Sequence, residues 1–460
     1  MTPLETLAGW ASTLRDSDLS VEQHRLARLR LLDTLGLISA ASEEPVCRSV
    51  LHFAKGYRCP GSATLIVNGA LVSPALAALV HGTLAHARDF DDTFPDSLVH
   101  PGSIVIPAAL GAAEQIDATF AEFSTAVVLG YEIAARVGRV AGRGFHARGL
   151  HATGIVGPIA AAASVGWLLR LTANAMADAL GLAASMSSGL FAFLADGAWS
   201  KWMHAGWAAH GGIVAAELAK SEFRGPHHAF DHSAGLYGAF LGGNSGFDLA
   251  SLCDGLGEQW LGAGAQPKSY PCAHVIQPFI DAALALRSER NIRAEQIAAI
   301  RCALASWALP IVCEPRDAKL KPCNDLEAIA SLPFMLAAAL CDGRVDLRTL
   351  RAENLRRGDL QEFAERVTCE HARGPESGFD GLLTIALRDG EESAVPVALA
   401  SPDEAAIRRK FRTNAAVLYG EAATNALENA IMNDAPSARK IIRLACQAAM
   451  RAPSALSAGE

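Results

Sequence analysis

A chain of 460 residues is long enough to bury more than one core, and two domains is the natural expectation. Its residues are 51% hydrophobic and only 19% charged, which suggests closely packed helices with much buried surface and points to a helical, oligomeric protein. The net charge is −8 with Lys and Arg scattered along the chain, which argues against nucleic acid as the main partner because phosphate contacts need a basic face.

From the N-terminus to about residue 265, apolar residues recur at three- and four-residue spacing with breaks at Gly and Pro, a helical pattern almost throughout. Ser73-Pro74 sets a cap residue and a proline at the head of an Ala- and Leu-rich helix. That run leads into His86-Ala-Arg88-Asp89-Phe90-Asp91-Asp92-Thr93, and at helical spacing His86, Asp89, Asp92 and Thr93 share one face. Further helical runs cover 107–140, with a helix beginning near Pro107, then 154–169 and 198–219. Between about 266 and 400 the character changes. Residues 299–306 and 366–370 alternate as strands do, and 382–387 leads through Arg388-Asp389-Gly390 into 394–399, where Asp-Gly predicts a hairpin. A helix over 333–340 lies between these strands. Helices return over 404–419 and 421–432, and the Ser/Ala-rich tail is expected to fray. The expected fold is mainly α: a helical domain made from residues 1–265 and 401–460, with a smaller α+β insertion over 266–400.

Two carboxylates three residues apart repel each other and cost stability unless a cation, a proton or a ligand relieves them. The cluster interrupts an apolar chain and mixes His, Thr and Asp, unlike a solvated face of interleaved Asp and Lys. A divalent-metal reading lacks a second aspartate pair, so no metal is expected. His100 precedes Pro101, and His151 stands in Gly149-Leu-His-Ala-Thr-Gly154. Each sits just before a helical run, where free N–H groups help a histidine bind an anion or hand it a proton; the competing reading is a turn histidine bonded to backbone. Lys201, flanked by Trp199 and Trp202, is either snorkelling or aimed into a pocket. Lys268, in Gln266-Pro-Lys-Ser-Tyr270-Pro-Cys272, falls where the helical pattern gives way to the insertion, and interdomain crevices are common ligand sites. Gly238-Ala-Phe-Leu-Gly242-Gly243 follows no strand, so a dinucleotide reading is weak, and no nucleophile elbow is present.

The ten cysteines show no Cys-x-x-Cys pair and read as buried thiols of a reducing compartment. The N-terminus has no secretory-type leader, and the apolar run ending at Leu169 is short and stopped by Arg170. A cytoplasmic protein without a membrane partner is the expectation.

Asp89-Phe-Asp-Asp-Thr93, His100-Pro101, His151-Ala-Thr-Gly154, Asp196-Gly with Lys201 and Gly206, Lys268-x-Tyr270-Pro271, Glu327 to Phe334 and Arg409-Lys410-Phe411 together resemble the MmgE/PrpD family over nearly the whole chain. That family includes 2-methylcitrate dehydratase, cis-aconitate decarboxylase and iminodisuccinate epimerase. The resemblance implies a helical domain plus an α+β lid, a homodimer, and no metal or organic cofactor. It also implies an active site matching Asp89, Thr93, His100, His151, Lys201 and Lys268, with Tyr270 beside the substrate. Two departures stand out: Gln277 where many relatives carry histidine, with His274 nearby, and Phe334 where decarboxylases and dehydratases carry tyrosine.

Dehydration, decarboxylation and epimerisation of polycarboxylates all develop carbanion character beside a carboxylate. They need cations or N–H donors on the carboxylates and groups placed for proton transfer. The expectation is a lyase of the dehydratase/decarboxylase type acting on a small di- or tricarboxylate. His100 is its principal acid/base, His151 a second proton group, Lys201 and Lys268 its cations, and Asp89 orients a histidine or lysine. The alternative is an epimerase. A noncatalytic scaffold would predict decay of the polar set, yet all six matched positions keep their chemistry.

Overall fold

The computed structural model of the chain describes residues 1–57, 61–243, 246–372, 378–433 and 437–451. Cys59 and the Ser/Ala-rich tail from 452 onward lie outside the described residues.

The Ser200–Lys220 helix lies at the centre of the helical body, packed along Pro74–His86 and Ala152–Leu168 with Gly102–Ile116 beside them. All thirteen residues of Pro74–His86 are buried. Such a helix has no solvent face, so its apolar residues need form no stripe. Small residues let the axes approach closely: a Cβ on Gly206 would lie 2.2 Å from the Leu79 carbonyl oxygen, and one on Gly82 would lie 2.8 Å from the Gly206 Cα. This crossing lays Lys201 beside the chain that leaves His86. The Glu404–Tyr419 helix returns to pack along Val21–Ala40. One apolar core accordingly joins side chains from Leu4 to Leu252 with others from Ile407 to Ala448.

A second core runs from Cys272 to Val397 and takes in Leu98 from the body. In the body, β1 (Ala63–Thr64) and β2 (Leu71–Val72) make a small antiparallel ribbon. The lid sheet comprises β3 (Ile297–Leu304), β4 (Val367–His371), β5 (Gly381–Leu387) and β6 (Glu392–Val397), in the order β4-β3-β5-β6. β3 pairs parallel with β4 and antiparallel with β5, which pairs antiparallel with β6. The β5–β6 hairpin turns at Asp389-Gly390 as expected, with Gly390 at φ +94°, a value that favours glycine. β6 lies two residues closer to the turn than its apolar pattern suggests. Helices Gln277–Glu289 and Leu332–Asp342 pack together and against the sheet.

Three expectations need correction. The body is not helical almost throughout: residues 187–199 and 221–235 are irregular or 3-10 chain. The Pro74–His86 helix ends at His86, so His86, Asp89, Asp92 and Thr93 do not share a helical face. The next helix starts at Gly102, and Pro107 lies inside it. The physical reason is local: the Asp92 carboxylate accepts from the Gly102 N–H at 2.8 Å, satisfying a donor that a helix start leaves open.

Among the described residues no helix is long and apolar enough to cross a membrane. The nine described cysteines are free thiols, five of them buried, whereas Cys323 is exposed.

Candidate active site

The loop over residues 87–101 carries the acidic cluster, and each of its three aspartates has a different task. Asp89 sits in the left-handed region at φ +49°, a conformation that costs about 1–3 kcal/mol unless its surroundings impose it. Its Oδ1 lies 2.8 Å from Lys268 Nζ and 2.9 Å from Lys201 Nζ. Lys268 also donates to the Asp89 carbonyl oxygen at 2.6 Å. Burial works to raise the Asp89 carboxyl, but the two ammoniums overrule it and hold it well below the usual carboxylate range. Burial outweighs the Asp89 attraction at Lys201, whose ammonium is pushed below its ordinary value.

Asp91 bridges two imidazoles. Its carboxylate lies 2.8 Å from His86 Nδ1 and 3.4 Å from His100 Nδ1. Burial pushes His86 down to about 4, so the neutral ring donates its Nδ1–H to Asp91. Asp92 turns the other way, accepting from the Gly102 N–H and, at 2.7 Å, from the Tyr131 hydroxyl. Burial raises its carboxyl to about 6 against that hydroxyl bond. A Cβ at 102 would lie 2.7 Å from Asp92 Oδ1, so any larger residue there must displace that carboxylate.

Three contacts tie this loop to distant parts of the chain. Thr93 pairs with Gln266 through two backbone hydrogen bonds of 2.9 and 2.8 Å, which carries Lys268 to Asp89. Arg88 reaches Asp325 in the lid at 2.5 Å and also pairs with Glu44. Lys410, from the returning helix, pairs with Asp33 at 2.8 Å and donates to the Phe90 carbonyl oxygen at 2.7 Å. The late Arg409-Lys410-Phe411 block is thus a brace for the loop.

His100 Nδ1 faces the Asp92 carbonyl oxygen at 3.1 Å and Thr93 Oγ1 at 3.1 Å. A carbonyl oxygen only accepts, so Nδ1 carries the hydrogen and Nε2 faces Asp89 Oδ1 at 3.6 Å. His151 holds the N-cap position of Ala152–Leu168, and its Nδ1 meets His204 Nδ1 at 3.1 Å. Burial and the neighbouring positive groups hold His151 well below the usual histidine range, and burial brings His204 to about 4.

A cavity of about 110 Å³ between body and lid is lined by Asp89, Thr93, His100, His151, Lys201 and Lys268. Six of the sequence-derived candidates therefore meet in one space. Tyr270 does not join them: its hydroxyl donates to Asp281 at 2.7 Å, and it lines a neighbouring cleft. Gln277 shapes that turn, accepting from the Ser269 and Tyr270 N–H groups at 3.0 and 3.1 Å. Phe334 is fully buried in the lid core and does not line the cavity.

Sequence reasoning missed His146, and it noted His274 only as a neighbour of Gln277. Both line the cavity, and His146 Nε2 and both His274 ring nitrogens are buried with no hydrogen-bond partner. Burial takes His146 to about 3 and His274 well below its ordinary range. His146 lies in the one-turn helix Gly144–Ala147 and His274 in the 3-10 turn His274–Ile276, segments too short to carry a spacing signal.

His86, His100 and His151, and the overlapping set of His86, Asp89, Asp91 and His100, come close enough to hold a metal ion. A dication on the second set would stand beside the Lys201 and Lys268 ammoniums that already neutralise Asp89, so the charge arrangement opposes it.

The MmgE/PrpD N-terminal domain matches residues 5–247 and the MmgE/PrpD C-terminal domain residues 270–434. The chain is 24% identical to a cis-aconitate decarboxylase of Aspergillus terreus over 92% of its own length and 91% of the relative's. It is 28% identical to the mouse cis-aconitate decarboxylase over 84% and 80% of the two chains, and 27% identical to the human one over 78% and 75%. With both domains matched in order over nearly the whole chain, the chain belongs to the MmgE/PrpD family.

Proposed function

We propose that this protein is a lyase of the dehydratase/decarboxylase type that needs no cofactor and acts on a small di- or tricarboxylate by moving a proton beside a carboxylate. One observation carries the reading: Asp89 holds the Lys201 and Lys268 ammoniums side by side, and His100 Nε2 lies within 3.6 Å of the same carboxylate oxygen. The ammoniums bind substrate carboxylates and stabilise the negative charge that develops next to them. In a decarboxylation, the carbon–carboxylate bond breaks, its electron pair spreads onto the neighbouring carboxylate, carbon dioxide leaves, and His100 returns a proton to carbon. In a dehydration, a base removes the carbon-bound proton and the hydroxyl leaves as water with a proton from an acid. His151 is the second group within the cavity, and Thr93 steadies His100. The cis-aconitate decarboxylases among the relatives support the same class of chemistry.

An epimerase reading draws on His274, because it adds an imidazole from the lid segment to those of the body. Removal and return of a proton on opposite faces needs two such groups. The test is to incubate chelator-treated protein in deuterated water with methylcitrate, cis-aconitate and iminodisuccinate and to follow each by proton NMR. Loss of water or carbon dioxide from any of the three establishes the lyase and names its substrate; deuterium entry with inversion and no loss of mass selects the epimerase. Silence on all three leaves the site standing and moves the substrate outside this set.

A further inference from the structure

The cavity is unevenly furnished. Among the described residues lining it, the only side chains with a permanent positive charge are Lys201 and Lys268, and both already share Asp89. None of the described arginines lines it; the Arg143 guanidinium lies over the Trp307 ring, 3.9 Å from its centroid. Two ammoniums match two carboxylates, one each. Apart from His100, the proton group of the proposed reaction, a third carboxylate would meet His146, His151 and His274, imidazoles that burial keeps in the neutral form at ordinary pH. These offer an N–H but no countercharge.

The rest of the wall is apolar: Phe191, Phe193, Leu194, Trp307, Ile311 and Phe379. The aromatic rings pack on one another, Phe191 against Phe193 at 5.4 Å and Trp307 against Phe379 at 6.0 Å. Leu194 is 47% exposed while lining the cavity, and in the same segment Leu190 is 63% exposed. The cavity thus opens to solvent along an apolar rim. Water in such a space is readily displaced by hydrocarbon, whereas a carboxylate there would trade its hydration for N–H donors of His146, His274 and Trp307 with no countercharge.

From this division of the wall we infer that the substrate is a dicarboxylate bearing an apolar arm, alkyl or aryl, where a tricarboxylate has its third carboxylate. The inference rests on the lyase reading given above and narrows its substrate class. The two carboxylates sit on Lys201 and Lys268, and the arm lies on the aromatic wall and leaves past Leu194.

Saturated probes test it, because they bind without turnover. Isothermal titration of the full-length protein with succinate, propylsuccinate, hexylsuccinate and tricarballylate should show affinity rising with the alkyl arm, by up to about fourfold per methylene. Propylsuccinate should bind at least roughly tenfold more tightly than tricarballylate. The variant Leu194→Arg, at a half-exposed position that tolerates the change, should narrow or reverse that preference. Tricarballylate binding as tightly as propylsuccinate, or succinate binding with no gain from the arm, would overturn this inference and leave the carboxylate site standing. Failure of all four probes to bind would overturn the carboxylate site and the inference together.

Discussion

The body and the lid meet at the cavity with unlike faces. The body brings the polar set Asp89, Thr93, His100, His146, His151 and Lys201 beside Leu98, Phe191, Phe193 and Leu194, whereas the lid segment brings only Lys268 and His274 as charged or imidazole groups among apolar side chains. Most of the body's groups are already partnered, Asp89 with two lysines, Thr93 with His100, and His151 with His204. Of the lid's two polar groups, Lys268 is fastened to Asp89 and His274 has no partner. On the proposed reaction the contrast becomes a division of labour: the body would hold the proton chemistry, and the lid would contribute one ammonium and help exclude water.

The sharpest way to test that division is to remove the body's proton group alone. His100→Asn should lower kcat by roughly a hundredfold to ten-thousandfold, with a thermal unfolding midpoint close to wild type; a large fall in the midpoint would show the residue to be structural. Asp89→Asn strikes both faces at once by leaving two buried ammoniums uncompensated. It should cost about 3–5 kcal/mol of stability, seen as a lower urea midpoint, and abolish turnover. A stability unchanged by this substitution would mean the two lysines do not depend on Asp89.

Asp92 offers a test within the body that spares the lid. Its folded-state value near 6 lies above its ordinary 3.8. The stabilisation from its protonated form is therefore complete below about 4 and is lost as pH rises through 6. Roughly 3 kcal/mol should disappear from the wild-type protein across that window, and Asp92→Asn should lack that part of the decline when urea midpoints at pH 4.5 and 7.5 are compared. The smallest effect is expected at the lid clasp. Arg88→Gln removes the link to Asp325 and should raise KM by roughly three- to tenfold while leaving kcat nearly unchanged; an equal fall in kcat would mean that the link shapes the chemistry itself.

Much of this was legible in the sequence, for reasons that differ between residues. Helix Glu404–Tyr419 and the Asp389-Gly390 hairpin follow local rules of capping, periodicity and turn geometry, and they lie where those rules place them. Asp89 and Thr93 stand out because their cluster interrupts an apolar chain, His100 and His151 because each precedes a helical run, Lys201 by its flanking tryptophans and Lys268 by the change of pattern; the family resemblance joins the six. Asp89, Asp92 and Thr93 were put on a helix because spacing alone says nothing about a left-handed residue at 89 or about a carboxylate that starts the next helix at Gly102. Tyr270 was placed with Lys268 by proximity in sequence, but its hydroxyl found Asp281, eleven residues on. His146 and the aromatic wall are assembled by tertiary packing of segments far apart in sequence, and no window of the chain reveals them.

The brace at Lys410 also bears on how the protein is made. Its ammonium reaches the Phe90 carbonyl oxygen across 320 residues of sequence. At synthesis rates of about 5–20 residues per second, the loop that carries Asp89 emerges roughly 15–60 s before the side chain that steadies it. Over that interval the helical body can collapse around Pro74–His86, but Asp33 and the loop lack their cation. Catalytic competence therefore arrives late in biosynthesis, and a nascent chain stalled before residue 410 should be compact yet inert.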